Sequence, residues 1–349
     1  MDPNKRLRWE VGDTLNSNLG PMKIHKVLGG GKGVVYIVTN ESAHSVSVYA
    51  AKTFQPQFLD SAEAVEGFKR EATVWIELEA HPNVVRAYYV EEIEGQPFIF
   101  MQFIAGSDLR EKLRERRPLE PTKTLKYAIH FCRGMLHAAS RIPNFVHRDV
   151  KPENCMITVN DTLKVTDFGL AKSADASDAA TVVPSSQNTH AGLTTFLRTR
   201  NGKICGTLPY MAPELLEGER IDHRVDIYAF GVMLFEMLTG RLPFDARLQH
   251  EWIYAHLKKQ PPDPRRINPD CNPELAHLTL QCLAKDRNER PADFAQIHSH
   301  LENVLQRRFG MRIPRPAPRE LSADDLVNKG TSLDTLGFHK EALKCYDRA

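Results

Sequence analysis

One stretch, residues 145–169, constrains the fold most, because it places three polar clusters within 25 residues. It reads FVHRDVKPENCMITVNDTLKVTDFG, and its two short apolar segments each have the length of a strand. The residues between these segments, VNDT, are typical of a turn. We therefore predict a β-hairpin with Asp149 and Asn154 before its first strand and Asp167 just after its second. Three oxygen-bearing side chains would then converge, and such ligands suit a hard cation like Mg²⁺ that is shared with phosphate.

The composition excludes several classes of protein. The chain has 349 residues, 42% apolar and 26% charged, which is ordinary for a globular protein of one large or two moderate domains. A net charge of +2 gives no argument for nucleic acid or an anionic membrane. Six cysteines without a C-x-x-C pair argue against a zinc site or a disulfide framework. The most apolar run, Ile227 to Leu238, is too short to span a bilayer and contains Glu236, and the first residues do not form a secretory signal. We predict no nucleic-acid partner, no membrane segment in this chain and a cytoplasmic location.

Two motifs within and beyond the opening stretch carry a family resemblance. HRDVKPEN followed by DFG, with 18 residues from Asp149 to Asp167, resembles the catalytic loop and metal-binding motif of the protein kinases. GTLPYMAPE at residues 206–214 resembles a segment of the Ser/Thr protein kinases that shapes a peptide-binding ledge. A polar loop beside a β-hairpin is the plainer alternative. A small-molecule kinase of similar fold is a further one, which residues 206–214 disfavour.

The resemblance covers about residues 20–307 and implies a domain organisation. The fold class is α+β: a bilobal protein-kinase fold, with a small β-rich N-lobe and a mainly helical C-lobe, plus a C-terminal helical hairpin. The predicted segments are an N-terminal extension at 1–20, the kinase domain at 21–308 (N-lobe about 21–103, C-lobe about 104–308), a Pro-rich linker at 309–320 and a partial tetratricopeptide repeat at 321–349.

The catalytic loop receives its roles from the resemblance. Phosphoryl transfer requires positioning and charge neutralisation more than covalent chemistry. Asp149 is implied to accept the proton of the substrate hydroxyl, and Lys151 to stabilise charge on the transferring phosphoryl group. Asn154 and Asp167 are implied to hold Mg²⁺, with ATP as the phosphoryl donor. A lysine two residues after the aspartate resembles the Ser/Thr-specific branch and implies protein substrates with Ser or Thr hydroxyls.

A lysine and a glutamate nearer the N-terminus complete the implied catalytic set. Lys52 ends the run Y-A-A-K, which resembles the family's V-A-I-K, and is implied to contact the α- and β-phosphates. Residues 61–79 predict an amphipathic helix, and Glu71 lies beside its apolar face. The resemblance pairs Glu71 with Lys52, a pair required for activity. The alternatives are a solvated lysine and a surface glutamate.

The segment LGGGKG at residues 28–33 resembles the glycine-rich loop over the nucleotide phosphates. Glycines leave backbone N–H groups accessible to phosphate oxygens. The residues implied to bind ATP here are Leu28, Gly29, Gly31 and Gly33. The spacing is one residue shorter than the family's G-x-G-x-x-G, and a basic residue, Lys32, stands at the tip. A plain hairpin turn is the alternative, and the short loop is the basis of a second hypothesis, a nucleotide-binding scaffold with little activity.

The resemblance also implies an adenine pocket. Its residues, in chain order, are Val35, Ala50, Met101, Gln102, Phe103, Ile104 and Met156. The first two and the last would sandwich the ring, Met101 would guard the back of the pocket, and the backbone of residues 102–104 would bond the adenine edge. All three sandwich positions are also compatible with ordinary core residues. Asp108 falls where family members hold the ribose, although it is equally suited to cap a helix that starts near Leu109.

The segment between DFG and GTLPYMAPE is long and polar. Residues 173–202 are rich in Ala, Ser, Thr, Asp and Asn, so we predict a mobile activation loop. Arg148 matches the residue that captures a loop phosphate in kinases regulated in that way. We therefore predict autophosphorylation in this loop, with Thr194, Thr195 and Thr199 as the favoured sites. A disordered linker without a regulatory role is the alternative.

Two further residues have structural roles in the family. Asp226 begins a helix over residues 226–240 that is apolar nearly all round, which predicts a position in the centre of a domain. The resemblance implies that Asp226 braces the backbone of the catalytic loop. It likewise implies that Arg290 pairs with Glu214.

The C-terminal segment predicts two short helices separated by Gly337 and Phe338. Leu336, Ala342 and Tyr346 fall at the spacing of a tetratricopeptide repeat, which this segment resembles. A single copy cannot bury its own apolar face. The segment is therefore either the start of a repeat array with a protein partner or a lone helical hairpin docked on the kinase domain, and a simple amphipathic extension is the plainer alternative.

Overall fold

The computed structural model describes residues 8–30, 33–42, 45–55, 62–168, 172–173, 208–315 and 321–349. The chain divides into two units, residues 1–105 with 317–349 and residues 106–316. The first contains a curled β-sheet and the second is mainly helical, so the predicted protein-kinase fold class is confirmed.

The first unit is built around six antiparallel strands in the order β1-β2-β3-β4-β6-β5. The strand predicted over residues 84–90 begins instead at Ala87, because a turn in which the Val84 N–H donates to the His81 carbonyl precedes it. The strands are β1 Thr14–Ser17, β2 Gly20–Gly30, β3 Gly33–Ser42, β4 Ser45–Phe54, β5 Ala87–Ile93 and β6 Gln96–Gln102.

Helix α1, Ala62–Leu78, follows the sheet strands β1–β4 and matches the helix predicted over residues 61–79. Its apolar residues Phe68, Ala72, Trp75 and Ile76 are buried, as the spacing predicts. Part of the predicted N-terminal extension also belongs to this unit: β1 pairs with β2, and Trp9 packs edge-on against aromatic rings of the sheet.

The second unit contains short strands and seven helices within its described residues. A three-stranded sheet has the order β10-β9-β7, and β8 pairs with β11. The strands are β7 Gly106–Asp108, β8 Phe145–Val146, β9 Cys155–Thr158, β10 Leu163–Val165 and β11 Lys172–Ser173. The helices are α2 Leu109–Glu115, α3 Pro121–Arg141, α4 Pro213–Glu217, α5 Arg224–Thr239, α6 Gln249–Lys258, α7 Pro273–Cys282 and α8 Phe294–Phe309.

Helix α5 occupies the centre of this unit, as its apolar sequence predicts. Almost every residue of the helix is buried, and it ends at Gly240 in the left-handed conformation at φ 72°. Gly231 lets α7 approach closely, since a Cβ there would lie 2.7 Å from the Cys282 Cβ. Helix α3 coincides with the prediction, whereas α6 and α8 each begin three residues after the predicted starts at 246 and 291.

One buried histidine is expected to make the stability of the second unit sensitive to acid. His130 on α3 accepts the Leu163 N–H at Nδ1 (3.2 Å), and burial together with Lys126 and Arg133 lowers its pKa to about 4. Between pH 6.5 and 4 this histidine is protonated in the unfolded chain but neutral in the folded state. The free energy of unfolding therefore falls by up to about 1.4 kcal/mol per pH unit as pH decreases. We expect the melting temperature of His130→Gln to fall less steeply over this range. An equal slope in both proteins would contradict the assignment.

The C-terminal helices are α9, Ala323–Thr335, and α10, His339–Tyr346, so the predicted helical hairpin is confirmed. They pack closely where Gly330 faces Tyr346: a Cβ on Gly330 would lie 2.5 Å from the Tyr346 ring. The identity of this helical hairpin as a tetratricopeptide repeat stays a prediction. Among the described residues, no helix combines the length and the apolar character needed to cross a bilayer.

Candidate active site

The backbone of the catalytic loop is held by one buried carboxylate. Asp226, in the first turn of α5, accepts the His147 N–H at Oδ2 (2.7 Å) and the Arg148 N–H at Oδ1 (2.8 Å). Burial raises the pKa of Asp226, while His147 and the two backbone donors oppose part of that rise. Arg148 is thereby kept at φ 66°, a conformation that is costly for a residue other than glycine. The implied brace between Asp226 and the loop is present.

The side chain of Asp149 lies within a small charged network. Its Oδ2 accepts the Lys151 ammonium at 2.6 Å and the Asn154 amide at 2.9 Å. The Asn154 amide also donates to the Asp149 carbonyl at 2.7 Å. Only 9% of the Asp149 side chain is exposed, so its carboxylate is oriented by fixed donors. This arrangement suits a group that must meet one proton in one direction.

The predicted hairpin brings Asn154 and Asp167 together. Strands β9 and β10 pair Cys155 with Val165, and the Thr166 N–H donates to the Asn154 carbonyl at 3.0 Å. Asp167 follows directly, at φ 63°. Because the Asn154 amide nitrogen is committed to Asp149, its oxygen is the atom that would ligate a cation.

The donor set fits Mg²⁺. No group of three or more His, Cys, Asp or Glu side chains with metal-binding geometry occurs in the described ranges. Mg²⁺ is commonly held by one or two protein carboxylates together with waters and substrate phosphates, so it does not need such a cage. One carboxylate and one amide oxygen are therefore a suitable pair of protein ligands.

The segment from Thr166 to Phe168 is held by contacts with His147 of the catalytic loop. Phe168 is fully buried, and its ring centroid lies 4.9 Å from that of His147. His147 Nε2 is 3.1 Å from the Thr166 carbonyl oxygen. The catalytic loop and the segment carrying Asp167 thus share one packed support. Gly169 and the predicted phosphorylation sites Thr194, Thr195 and Thr199 lie outside the described residues.

In the first unit, Lys52 on β4 and Glu71 on α1 form the implied ion pair. The Lys52 Nζ lies 2.5 Å from Glu71 Oε1, and the two side chains are 17% and 11% exposed. Such burial makes the pair more than a surface salt bridge, whose contribution is usually small. The pairing of these two residues is therefore present in the structure, and their role toward phosphates stays a prediction.

Strand register places several predicted nucleotide-binding residues on one face of the sheet. Leu28 is opposite Val35, Val35 is opposite Lys52, and Ala50 is opposite Met101. Directly opposed residues share a face, as do residues two apart on one strand. Leu28, Val35, Ala50, Lys52 and Met101 therefore line the same surface.

Strands β2 and β3 are paired up to the two ends of the glycine segment. Gly30 pairs with Gly33, which leaves only residues 31 and 32 between the strands. Gly31 lies outside the described residues, while a Cβ on Gly29 would meet nothing within 4 Å. The connection between β2 and β3 is therefore two residues long, and the approach to the backbone at Gly29 is open.

The remaining predicted binding residues have mixed surroundings. Gln102 ends β6 with its N–H donated to the Arg86 carbonyl (2.8 Å), Ile104 is buried, and Phe103 is 37% exposed. In the second unit, Met156 lies opposite Asp108 on neighbouring strands. The Asp108 carboxylate accepts the Glu111 N–H at 2.8 Å and caps α2, which is the alternative role raised by the sequence.

Sequence reasoning missed a charged cluster beside the catalytic loop. Arg110 on α2 contacts Glu153 at 2.9 Å and Glu236 at 2.5 Å, and it also donates to Tyr210. The Tyr210 hydroxyl donates to Glu236 at 2.7 Å. These residues are up to 126 positions apart, so no local pattern announces the cluster. It ties Glu153 of the catalytic loop to Tyr210, which belongs to the predicted substrate segment.

The implied pair between Arg290 and Glu214 is also present. It is bidentate, at 2.6 and 2.8 Å, and both side chains are almost fully buried. Arg290 donates further to the carbonyls of Ala284, Arg224 and Lys285. One guanidinium therefore joins α4 to the first residue of α5 and to the segment between α7 and α8.

The first unit contains a buried Lys–Glu pair, and the mainly helical second unit contains a loop with Asp, Lys and Asn. These features define a phosphotransferase domain of the kinase type. The protein kinase domain family matches residues 22–305, and the chain belongs to the protein kinase family. A probable serine/threonine-protein kinase of Clostridium acetobutylicum is 32% identical over 283 residues, covering 81% of this chain and 39% of that protein.

Two relatives from Myxococcus xanthus are similarly close. Serine/threonine-protein kinase pkn3 is 32% identical over 297 residues, covering 83% of this chain and 51% of the relative. Serine/threonine-protein kinase Pkn1 is 31% identical over 335 residues, covering 93% and 45%. The chain thus spans about half, or less, of the length of these relatives.

Proposed function

We propose that this chain transfers the γ-phosphoryl group of ATP, with Mg²⁺, to Ser and Thr hydroxyls of proteins. The observation that carries the proposal is the Asp149 carboxylate held by Lys151 and Asn154 at 2.6 and 2.9 Å. Asp149 accepts the proton of the substrate hydroxyl while the oxygen of that hydroxyl forms a bond to the γ-phosphorus. The bond from that phosphorus to the β–γ bridging oxygen breaks, and ADP leaves.

The other residues of the proposal position charge. Lys151 neutralises charge on the transferring group, and Lys52, oriented by Glu71, binds the α- and β-phosphates. Asn154 and Asp167 hold Mg²⁺, which when bound neutralises phosphate charge and orients the donor. The printed names of the three relatives, all serine/threonine-protein kinases, support the choice of Ser and Thr as acceptors.

The direct test uses the full chain with labelled ATP, Mg²⁺ and a generic protein substrate. We expect label in the protein, recovered as phosphoserine and phosphothreonine after acid hydrolysis, because a lysine stands two residues after Asp149. Chelation of Mg²⁺ with EDTA should abolish the incorporation, since the donor phosphates then lose their counter-charge. Label found only in phosphotyrosine, or incorporation that survives EDTA, would contradict the proposal.

The same incubation tests autophosphorylation, the finer part of the proposal. Arg148 follows His147 in the braced loop and is the residue proposed to bind a phosphate on Thr194, Thr195 or Thr199. We expect the intact mass of the protein to rise by whole phosphate increments. An active enzyme of unchanged mass would rule autophosphorylation out and leave protein phosphorylation standing.

A scaffold with little activity is the second candidate, favoured by the connection of only two residues between Gly30 and Gly33. In this case partners would bind through the C-terminal hairpin as a first tetratricopeptide repeat, and the exposed apolar residues Phe338, Leu343 and Tyr346 support that proposal. Nucleotide binding without any label transfer would favour the scaffold. Label transfer with multiple turnovers excludes it.

A further inference from the structure

The C-terminal hairpin covers the edge of the sheet in the first unit. Strand β5 is an edge strand of the sheet, so one row of its N–H and C=O groups faces no other strand among the described residues. Helix α9 packs against it, and the fully buried Ser332 hydroxyl accepts the Val90 N–H at 2.8 Å. The same hydroxyl donates to the Asn328 carbonyl at 2.7 Å. The hairpin is thus bonded into the sheet.

An ion pair fixes the beginning of α9. Asp325 pairs with Arg86, which directly precedes β5, and the Asp325 side chain is only 8% exposed. Burial alone would raise the pKa of Asp325, but the Ser322 N–H and Arg86 outweigh it and hold that pKa below its usual value. The carboxylate is therefore charged at neutral pH and stays paired with the Arg86 guanidinium.

A third contact reaches α1, the helix that carries Glu71. The carboxyl end of a helix is negative and favours nearby cations. Helix α1 has no basic residue in its last turn, and instead Glu77 lies in that turn and Glu79 directly follows the last helical residue, Leu78. Lys329 on α9 supplies the cation: its Nζ lies 3.0 Å from Glu79 and 3.6 Å from Glu77, with 17% of the side chain exposed.

We propose that Lys329 is a positioning residue for α1 and, through α1, for the pair between Glu71 and Lys52. Glu71 and Leu78 are seven residues apart, which is about two helical turns on one face. A helix moves as a rigid body over that length, so fixing its carboxyl end fixes the Glu71 carboxylate. The inference rests on the function proposed for the Lys52–Glu71 pair.

A purely protective role for the hairpin predicts something different. If α9 only shields the edge of β5, Ser332 and Asp325 suffice, and Lys329 adds stability without affecting catalysis. The position of Lys329 argues against this view, because its ammonium group pairs with the carboxylates of Glu77 and Glu79 at the end of α1. The two hypotheses differ in whether a change of charge at residue 329 alters the position of α1.

The test compares four full-length proteins: wild type, Lys329→Glu, the charge swap Lys329→Glu with Glu79→Lys, and Lys344→Glu, a matched change on the exposed face of α10. We expect Lys329→Glu to lower kcat about tenfold, in the range of coupling between distinct sites, with KM for the protein substrate unchanged. The charge swap should restore most of the rate because it restores the attraction. Lys344→Glu should behave as wild type.

Hydrogen exchange of the backbone amides of α1 is the second readout and needs no activity. We expect faster exchange over residues 72–78 in Lys329→Glu and recovery in the charge swap. Unchanged exchange in Lys329→Glu, or no recovery in the swap, would overturn the inference. A wild type that transfers no phosphate would instead refute the proposed function, while the exchange data still decide whether Lys329 positions α1.

Discussion

Asp149→Asn is expected to lower kcat for phosphoryl transfer by about 10²–10⁴-fold, the usual contribution of a positioned general base. The asparagine oxygen keeps the contacts with Lys151 and Asn154, which lie 2.6 and 2.9 Å from the aspartate Oδ2. It does not accept the proton of the substrate hydroxyl. Initial rates at saturating ATP measure the effect, and KM for ATP should change little because Asp149 does not bind the nucleotide in the proposed mechanism.

Asp161→Asn supplies a matched control in the same unit. Asp161 lies in the turn between β9 and β10, has φ 59° and pairs with Lys126 at 2.9 Å. Asparagine tolerates that conformation well, so the fold is retained. We expect nearly wild-type rates. Equal loss in both variants, or full activity in Asp149→Asn, would remove Asp149 from the role of base.

Arg290→Met has the largest expected effect on stability. Its removal leaves the Glu214 carboxylate, only 4% exposed, without the guanidinium that pairs with it. Breaking a buried ion pair by deleting one partner costs about 3–5 kcal/mol. For a unit of this size, that corresponds to a melting temperature lower by roughly 6–20 °C. Differential scanning calorimetry of the full chain measures the change.

Two comparisons decide whether the ion pair is the cause. The double variant Arg290→Met with Glu214→Gln has no unpaired charge at this site. Its loss of stability should therefore be smaller than the sum of the losses in the two single variants. Arg265→Met disrupts the exposed pair with Asp263 and should leave the melting temperature unchanged. Additive losses in the double variant would show that Arg290 acts through its backbone contacts instead.

Much of the candidate site was predictable because its parts are local. The alternation of polar clusters and short apolar runs in residues 145–169 predicts the hairpin, and the pairing of β9 with β10 places Asn154 before the first strand and Asp167 after the second, as predicted. Helix α1 was predictable from its apolar spacing, and the inward side of that helix singles out Glu71. Side-chain identity then limits the chemistry to carboxylate, amide and ammonium groups.

The contacts that sequence reasoning missed all join distant segments. Arg110 meets Glu236 across 126 positions, and Ser332 meets Val90 across 242. Neither residue belongs to a periodic or spaced pattern, and a lone arginine or serine on a helix is ordinarily a surface residue. Only the folded chain shows that these side chains are buried and paired.

The sequence by itself determined the hairpin of the catalytic loop and the amphipathic helices, because local periodicity encodes them, and its resemblance to the protein kinases supplied Lys52 and Glu71 as candidates. The tertiary structure decided that Arg110 joins the catalytic loop to Tyr210, and that α9 docks on β5 and on the end of α1. The physical reason is that burial and charge pairing depend on which surfaces meet. Which surfaces meet is decided only when the whole chain packs: here the edge of β5 and the acidic end of α1 both contact α9.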